Sequence, residues 1–180
     1  MRYAVLAVTA VAISWAAEPP RVARAALMQV ENHLDRRIET ALPDNPFMLL
    51  STTQGVYLEG YGAVFTAELN LITVPAPTPF RPAFTRDDIE KIRLKKLERV
   101  AVLKRLLRDA LVEAAASLEG MPPAEQVAIA VSLFYFRTWE NTAGLPSQIL
   151  MQAPRGVLLD FRAQRISEQT LEAALRVQEF

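Results

Sequence analysis

Cysteine is absent from the 180 residues, and histidine occurs once, at His33. The first absence excludes disulfides, thiolate catalysis, iron–sulfur clusters and cysteine zinc sites; the second excludes multi-histidine metal sites. Neither a metal nor a cofactor is therefore expected. An excess of one charge is missing too, with 20 basic residues against 20 acidic ones. Proteins that work mainly on nucleic acid need a net basic surface, so no nucleic-acid partner is expected. The chain also has no GxGxxG run, no glycine-rich loop ending in Lys-Ser or Lys-Thr, no His-Glu-x-x-His and no Gly-x-Ser-x-Gly. The dinucleotide, phosphate, zinc-protease and serine-hydrolase chemistries thus lack their signatures. What is present, at 51% hydrophobic residues, suffices for one domain with a sizeable core.

The N-terminus reads as an address. Arg2 supplies a minimal positive charge, Tyr3 to Ile13 is apolar except for Thr9, and Ser14-Trp15-Ala16 places small residues where a signal peptidase reads. This is the pattern of a secretory signal peptide over residues 1–16, too short to span a bilayer comfortably. The expected organisation is that peptide followed by a single domain over 17–180, in an extracytoplasmic location, periplasmic or secreted. No cysteine is available for acylation as a lipoprotein.

Hydrophobic periodicity orders the rest. Leu27, Val30, Leu34, Ile38 and Ala41 recur at helical spacing between Pro20 and Leu42, with His33 at the solvent edge beside Arg36 and Arg37. Residues 48–72 read as β structure, with a turn at Thr52-Thr53-Gln54-Gly55. A second hairpin turn or a bulge is expected at Gly60-Tyr61-Gly62. Beyond it Ala63, Phe65, Ala67, Leu69 and Leu71 alternate with residues of a solvated face. Residues 74–84 form a Pro-rich connector containing Pro79-Phe80-Arg81-Pro82, a PxxP spacing. Thr85 then caps a long basic amphipathic helix over 86–119. Val127 to Tyr135 is apolar on both faces, which predicts a strand covered on each side. Residues 149–152 and 157–161 predict a hairpin about Ala153-Pro154-Arg155-Gly156, and Ser167 caps a last helix running through Val177. The expected fold is α+β: one mainly antiparallel sheet with helices packed on it, in the order α-β-β-α-β-β-β-α. That order resembles the profilin-like and roadblock-type layered folds, in topology alone.

Candidate functional residues fall into three groups. Glu59 and Asp160 each follow a Gly-Val after a presumed hairpin turn. A pseudo-symmetric sheet would bring them to equivalent places as an acid–base pair, with Tyr61 nearby. Tyr57, Tyr61 and Trp139 are aromatic contact candidates. Lys95, Lys96, Arg99 and Arg105 belong to the basic stretch 91–108, where eight Lys and Arg accompany Glu98 alone. Such a helix lies on anionic headgroups or docks an acidic partner. The reading that combines these features is an exported, non-catalytic interaction or assembly module of the cell envelope, pairing with itself or with another protein. The alternatives are a hydrolase-like enzyme using the strand carboxylates and a protein bound peripherally to anionic membrane.

Overall fold

A computed structural model describes residues 22–74 and 84–180. The segment read as a signal peptide and most of the Pro-rich connector, including the PxxP spacing, lie outside the described residues. The elements run α1 (Arg24–Thr40), β1 (Met48–Leu58), β2 (Gly62–Asn70), α2 (Arg86–Ser117), β3 (Gln126–Leu133), β4 (Gln148–Pro154), α3 (Arg155–Arg162), α4 (Glu168–Ala174) and β5 (Arg176–Glu179). The strands form one sheet in their sequence order. Pairing is antiparallel except between β2 and β3, which run parallel and are joined through α2. The fold is α+β with a mixed sheet.

All four helices contribute to one core on one face of this sheet. From α1 it takes Leu27, Val30, Leu34 and Ile38, and from α2 the row running from Val100 to Ala115; α3 adds Leu158 and α4 adds Leu171. The sheet supplies Ala63, Phe65, Ala67 and Leu69 of β2, Val127, Ile129 and Val131 of β3, and Ile149, Met151 and Ala153 of β4. These are alternate residues, so the pleat turns their neighbours to the opposite face. The expectation that β3 is covered on both sides therefore fails. Ala128 is buried, but Ala130 and Ser132 are only half-buried, and no helix lies over them.

Two further expectations are overturned for identifiable reasons. Residues 52–55 do not turn; they lie within the single long strand β1, whose register against β2 shifts between Leu49 and Gln54. Gly55 is required there by crowding, because a Cβ at this position would lie 2.6 Å from the Phe65 ring and 3.1 Å from Glu31 Oε1. The hairpin turn lies at residues 59–61, where Gly60 and Gly62 have φ of +79° and +132°. At Gly62 a Cβ would also meet the Gln126 carbonyl oxygen at 2.0 Å.

Residues 157–161 are likewise helix rather than strand. The Gly156 amide donates to Pro123 O at 2.8 Å and the Arg155 amide to Glu125 O at 2.8 Å, which turns the chain out of the sheet. The Arg155 guanidinium donates to Ala115 O at 2.9 Å and to Met121 O at 2.8 Å. It thereby satisfies a carbonyl at the C-terminal end of α2, where the helix dipole favours a cation. The last helix stops at Ala174, and the chain returns as β5 beside β4. The expected order thus holds from α1 through β4 in a mainly antiparallel sheet, and departs only after β4, where α3, α4 and β5 replace a strand and a helix.

Helix α2 opens with a reciprocal cap: Thr85 Oγ1 accepts from the Asp88 amide, and the Asp88 carboxylate accepts from the Thr85 amide. At 32 residues it is about 48 Å long, whereas the eight residues of β3 span only about 26 Å. The overhanging N-terminal half is covered by residues 134–147. Lys96 Nζ meets Glu140 Oε2 at 2.5 Å with both side chains buried, and Lys96 also lies 4.9 Å from the centre of the Tyr135 ring. Burial, reinforced by the nearby Glu140 carboxylate, pushes the Tyr135 phenol well above its usual pKa. Its hydroxyl donates to Pro146 O at 2.8 Å. Arg93 donates to Ala143 O, and Trp139 stacks on Phe136 and meets Phe84 at a tilt.

Removing one member of a buried ion pair leaves the other charged and unsatisfied, at a cost of about 3–5 kcal/mol. Lys96→Met is therefore expected to destabilise the fold by about that amount in urea denaturation. The double change Lys96→Met with Glu140→Leu should recover most of the loss. Equal stability of the two variants would show that the pair does not hold the loop.

Candidate functional site

The face of the sheet opposite the helices exposes several apolar side chains. On β1 it presents Val56 and Leu58, exposed by 49% and 47%, with Met48 and Leu50 exposed near the start of the strand. Val64 pairs with Val56 on β2, and Leu150 pairs with Ala130 across β3 and β4. Tyr61 leaves the hairpin turn and reaches across β3, donating its hydroxyl to Gln152 Oε1 at 2.8 Å. The register lines up Val64, Ala128, Gln152 and Arg176 in one row, so this bridge passes over the small side chain of Ala128. The remaining positions are mostly uncharged, including Ser51, Gln54, Thr66 and Ser132, with Glu68 and Arg176 as opposite charges. Val56 and Leu58 thus stand exposed side by side on a face that carries few charges.

The β1 edge of the sheet is closed to pairing. Asp35 of α1 accepts from the Thr53 amide at 3.0 Å and from the Thr53 hydroxyl at 2.6 Å. Glu31 accepts from the Gly55 amide at 2.6 Å, and Arg24 donates both to Glu31 and to Gly55 O. Carboxylates of the helix thus occupy outward hydrogen-bonding positions that another strand would use.

The structure disperses most of the residues singled out from the sequence. Lys96 and Arg99 are buried: Lys96 is bound to Glu140, while Arg99 donates to Asn45 O at 2.6 Å and Leu71 O at 2.7 Å. They brace the inside of the helix and present no charge to a headgroup. Arg93, Lys104 and Arg108 are also engaged, with Glu90, Glu179 and the Glu168–Glu172 pair. Among the described residues this leaves Lys91, Lys95 and Arg105 as exposed cations of the stretch without an ion pair, interspersed with Leu94 and Glu98. Tyr57 faces the core, and Trp139 belongs to the loop cluster over α2. Of the aromatic candidates Tyr61 alone stands on the open face. Glu59 lies in the β1–β2 turn, whereas Asp160 lies on helix α3 and is paired with Arg165 at 3.0 Å. The two presumed hairpins are not equivalent, so the symmetry that was to bring these carboxylates together is absent.

A second feature, among the helices, was not visible in the sequence. His33 of α1 meets Glu113 of α2 through its Nε2, and Arg37 donates to the other oxygen of the same carboxylate. His33 and Glu113 border a half-open groove of about 320 Å³ between α1 and α2, which Val30, Leu34, Ala110, Ala114, Ser117, Ile129 and Arg162 also line. Burial disfavours the charged form of Glu113, but the hydrogen bonds from Arg37 and His33 outweigh it and hold the carboxyl below its usual 4.5. Among the described residues no group of three or more acids and histidines is arranged to hold a metal, and no helix is long and apolar enough to cross a membrane.

Two outcomes follow from this geometry. A depressed carboxyl pKa contributes stability that is complete above the usual carboxylate range and lost as pH falls through the folded-state value. Glu113→Gln is thus expected to flatten the acid limb of stability against pH, measured by urea denaturation at pH 3 to 7, and an unchanged limb would contradict the linkage. Glu31→Ala with Asp35→Ala should cost about 1–3 kcal/mol for each buried amide left unpaired. By freeing the β1 edge, it should also convert the protein to large assemblies in light scattering. No protein-family model matches the chain, and no curated protein and no solved structure is significantly similar to it.

Proposed function

We propose that this chain is an exported, non-catalytic assembly module whose open sheet face packs against the same face of a second copy. The observation that carries the reading is the sheet face itself, apolar at Val56, Leu58, Val64 and Leu150, nearly neutral, and covered by no helix. Five strands about 4.8 Å apart and averaging about 26 Å in length offer roughly 600 Å² in projection. That approaches the ~800 Å² per partner of a standard interface. An almost uncharged surface meets an identical one without like-charge repulsion, and two sheets stack face to face at about 10 Å. Closure of the β1 edge by Glu31 and Asp35 favours a finite pair over an open array of edge-joined sheets. Export is supported by the apolar run of residues 3–13 and the small residues at 14 and 16.

Sedimentation equilibrium of the chain lacking residues 1–16 tests the assembly, with twice the monomer mass expected at micromolar concentration. Val56→Glu with Leu58→Glu should give a folded monomer, since both side chains are already half-exposed in the single chain. A wild-type monomer at about 100 µM would overturn the proposal, because a standard interface binds well below that concentration. Sequencing the N-terminus of the protein made in its own cells tests export, and retention of Met1 would overturn that part.

A further inference from the structure

The two edges of the sheet differ. Glu31 and Asp35 occupy outward hydrogen-bonding positions of β1, whereas β5, at the other edge, has all of its residues exposed. Its pairing with β4 decides which main-chain groups are already used. Phe180 and Gln148 exchange both hydrogen bonds, at 3.0 and 3.4 Å. In an antiparallel ladder such pairs alternate with pairs that exchange none. The register of Gln178 on Leu150 and of Arg176 on Gln152 therefore turns the amides and carbonyls of residues 176, 178 and 180 inward. Val177 and Glu179 are left with N–H and C=O aimed away from the sheet, and no group outside the ladder meets them among the described residues. Their side chains lie on the helical side, Val177 beside the core residue Met151 and Glu179 on Lys104 of α2 at 2.7 Å. Between this edge and α2 runs a half-open groove of about 410 Å³, lined by Ala101, Leu175 and Val177 and by the cations Lys104, Arg105 and Arg108. Val177 is 43% exposed and Ala101 is exposed too, so the apolar wall is open to solvent. Lys104 and Arg108 are engaged by Glu179 and by Glu168 and Glu172, while Arg105 has neither ion pair nor hydrogen bond among the described residues.

We propose that the β5 edge is a docking site for an extended segment of another protein, which adds as a further antiparallel strand and sets an apolar and an acidic side chain into the groove. The free main-chain groups of Val177 and Glu179 are spaced to exchange both hydrogen bonds with each of two alternate residues of such a segment. Residues directly opposite in an antiparallel pair share a face, so these same two residues direct their side chains into the groove. The apolar one packs on Val177 and Ala101, and the acidic one gives Arg105 the carboxylate it lacks, two guanidinium N–H groups matching two carboxylate oxygens. A second copy of this chain fits the edge less well. Two β5 edges related by a two-fold axis carry their helices on the same side of the joined sheet, which lines one seam with the cations of both grooves and supplies no free acid to Arg105. The edge lies at the margin of the sheet and not on its open face, so the inference stands whether or not two copies pair through that face.

The probe is the peptide acetyl-Thr-Val-Thr-Asp-Thr-Val-Thr-amide, whose valines and aspartate share one side of a strand. Titrated into the isotope-labelled protein, it is expected to shift the Val177 and Glu179 amide resonances saturably, with a Kd on the order of 0.1–1 mM for so short a ladder. Methylating the peptide nitrogens of its valines and aspartate removes the donors aimed at β5 and should abolish binding. Exchanging the peptide aspartate for lysine, or Arg105→Ala in the protein, should weaken binding about threefold or more, the scale of an exposed ion pair. Val177→Pro removes an outward amide that the ladder to β4 does not use and should also abolish binding; if it proves unfolded by circular dichroism, the methylated peptide decides. No saturable shift up to about 5 mM peptide, undiminished binding of the methylated peptide, or unchanged affinity on either exchange of charge would each overturn the proposal. Protection of the Val177 and Glu179 amides that rises with protein concentration in the absence of peptide would show a second copy on the edge and overturn it as well.

Discussion

A helix of about 48 Å that crosses strands of about 26 Å must find cover for nearly half its length. In this chain the cover is residues 134–147, and what fixes them is the buried contact of Lys96 with Glu140. A charged pair out of water is favourable only when each charge has its partner, so the contact acts as a register mark more than as a source of stability. It tells the loop where on the helix to sit. Arg99 does the same one turn on, tying α2 to the carbonyls of Asn45 and Leu71. Arg155 does it at the far end, on the carbonyls of Ala115 and Met121. Three cations on main-chain oxygens or a buried acid thus hold the long crossover in place over the parallel β2–β3 pair.

This arrangement decides what surface remains. With every helix drawn to one face, the other face has only its own side chains to cover it. Tyr61 spans part of it by reaching Gln152, yet Val56 and Leu58 stay exposed. The chain treats edge and face differently. Carboxylates of Glu31 and Asp35 close the β1 edge, where indiscriminate pairing would begin, and nothing comparable guards the face. That contrast makes a finite face-to-face pair the more economical reading. A membrane role through α2 is correspondingly weakened, because five of the eight cations that suggested it are engaged by other groups of the chain, Lys96 and Arg99 of them buried.

The alternation Ala63–Phe65–Ala67–Leu69 was legible because an antiparallel hairpin strand with one wet face writes its burial directly into a period of two. The Thr85 cap and the amphipathic course of α2 were legible because both depend on neighbours within one turn. Gly55 reads as a turn because a glycine required by a crowding ring looks the same in sequence as one required by backbone conformation. Residues 157–161 read as strand because a short, largely apolar run fits either period, and the deciding hydrogen bonds come from residues 123 and 125.

The sequence alone determined the alternating core residues of β2, the starts of α2 and α4, and the exclusion of cysteine and multi-histidine chemistry, since each depends on residue type or near neighbours. Only the tertiary structure decided which charges face inward. Lys96 and Lys95 are adjacent and chemically identical, yet one is buried on Glu140 and the other is in water, because α2 has a single side facing residue 140. The groove beside His33 and Glu113 is likewise a product of packing. Its residues come from three helices and a strand separated by as many as 132 positions, and no local pattern records a gap that exists only once the elements are brought together.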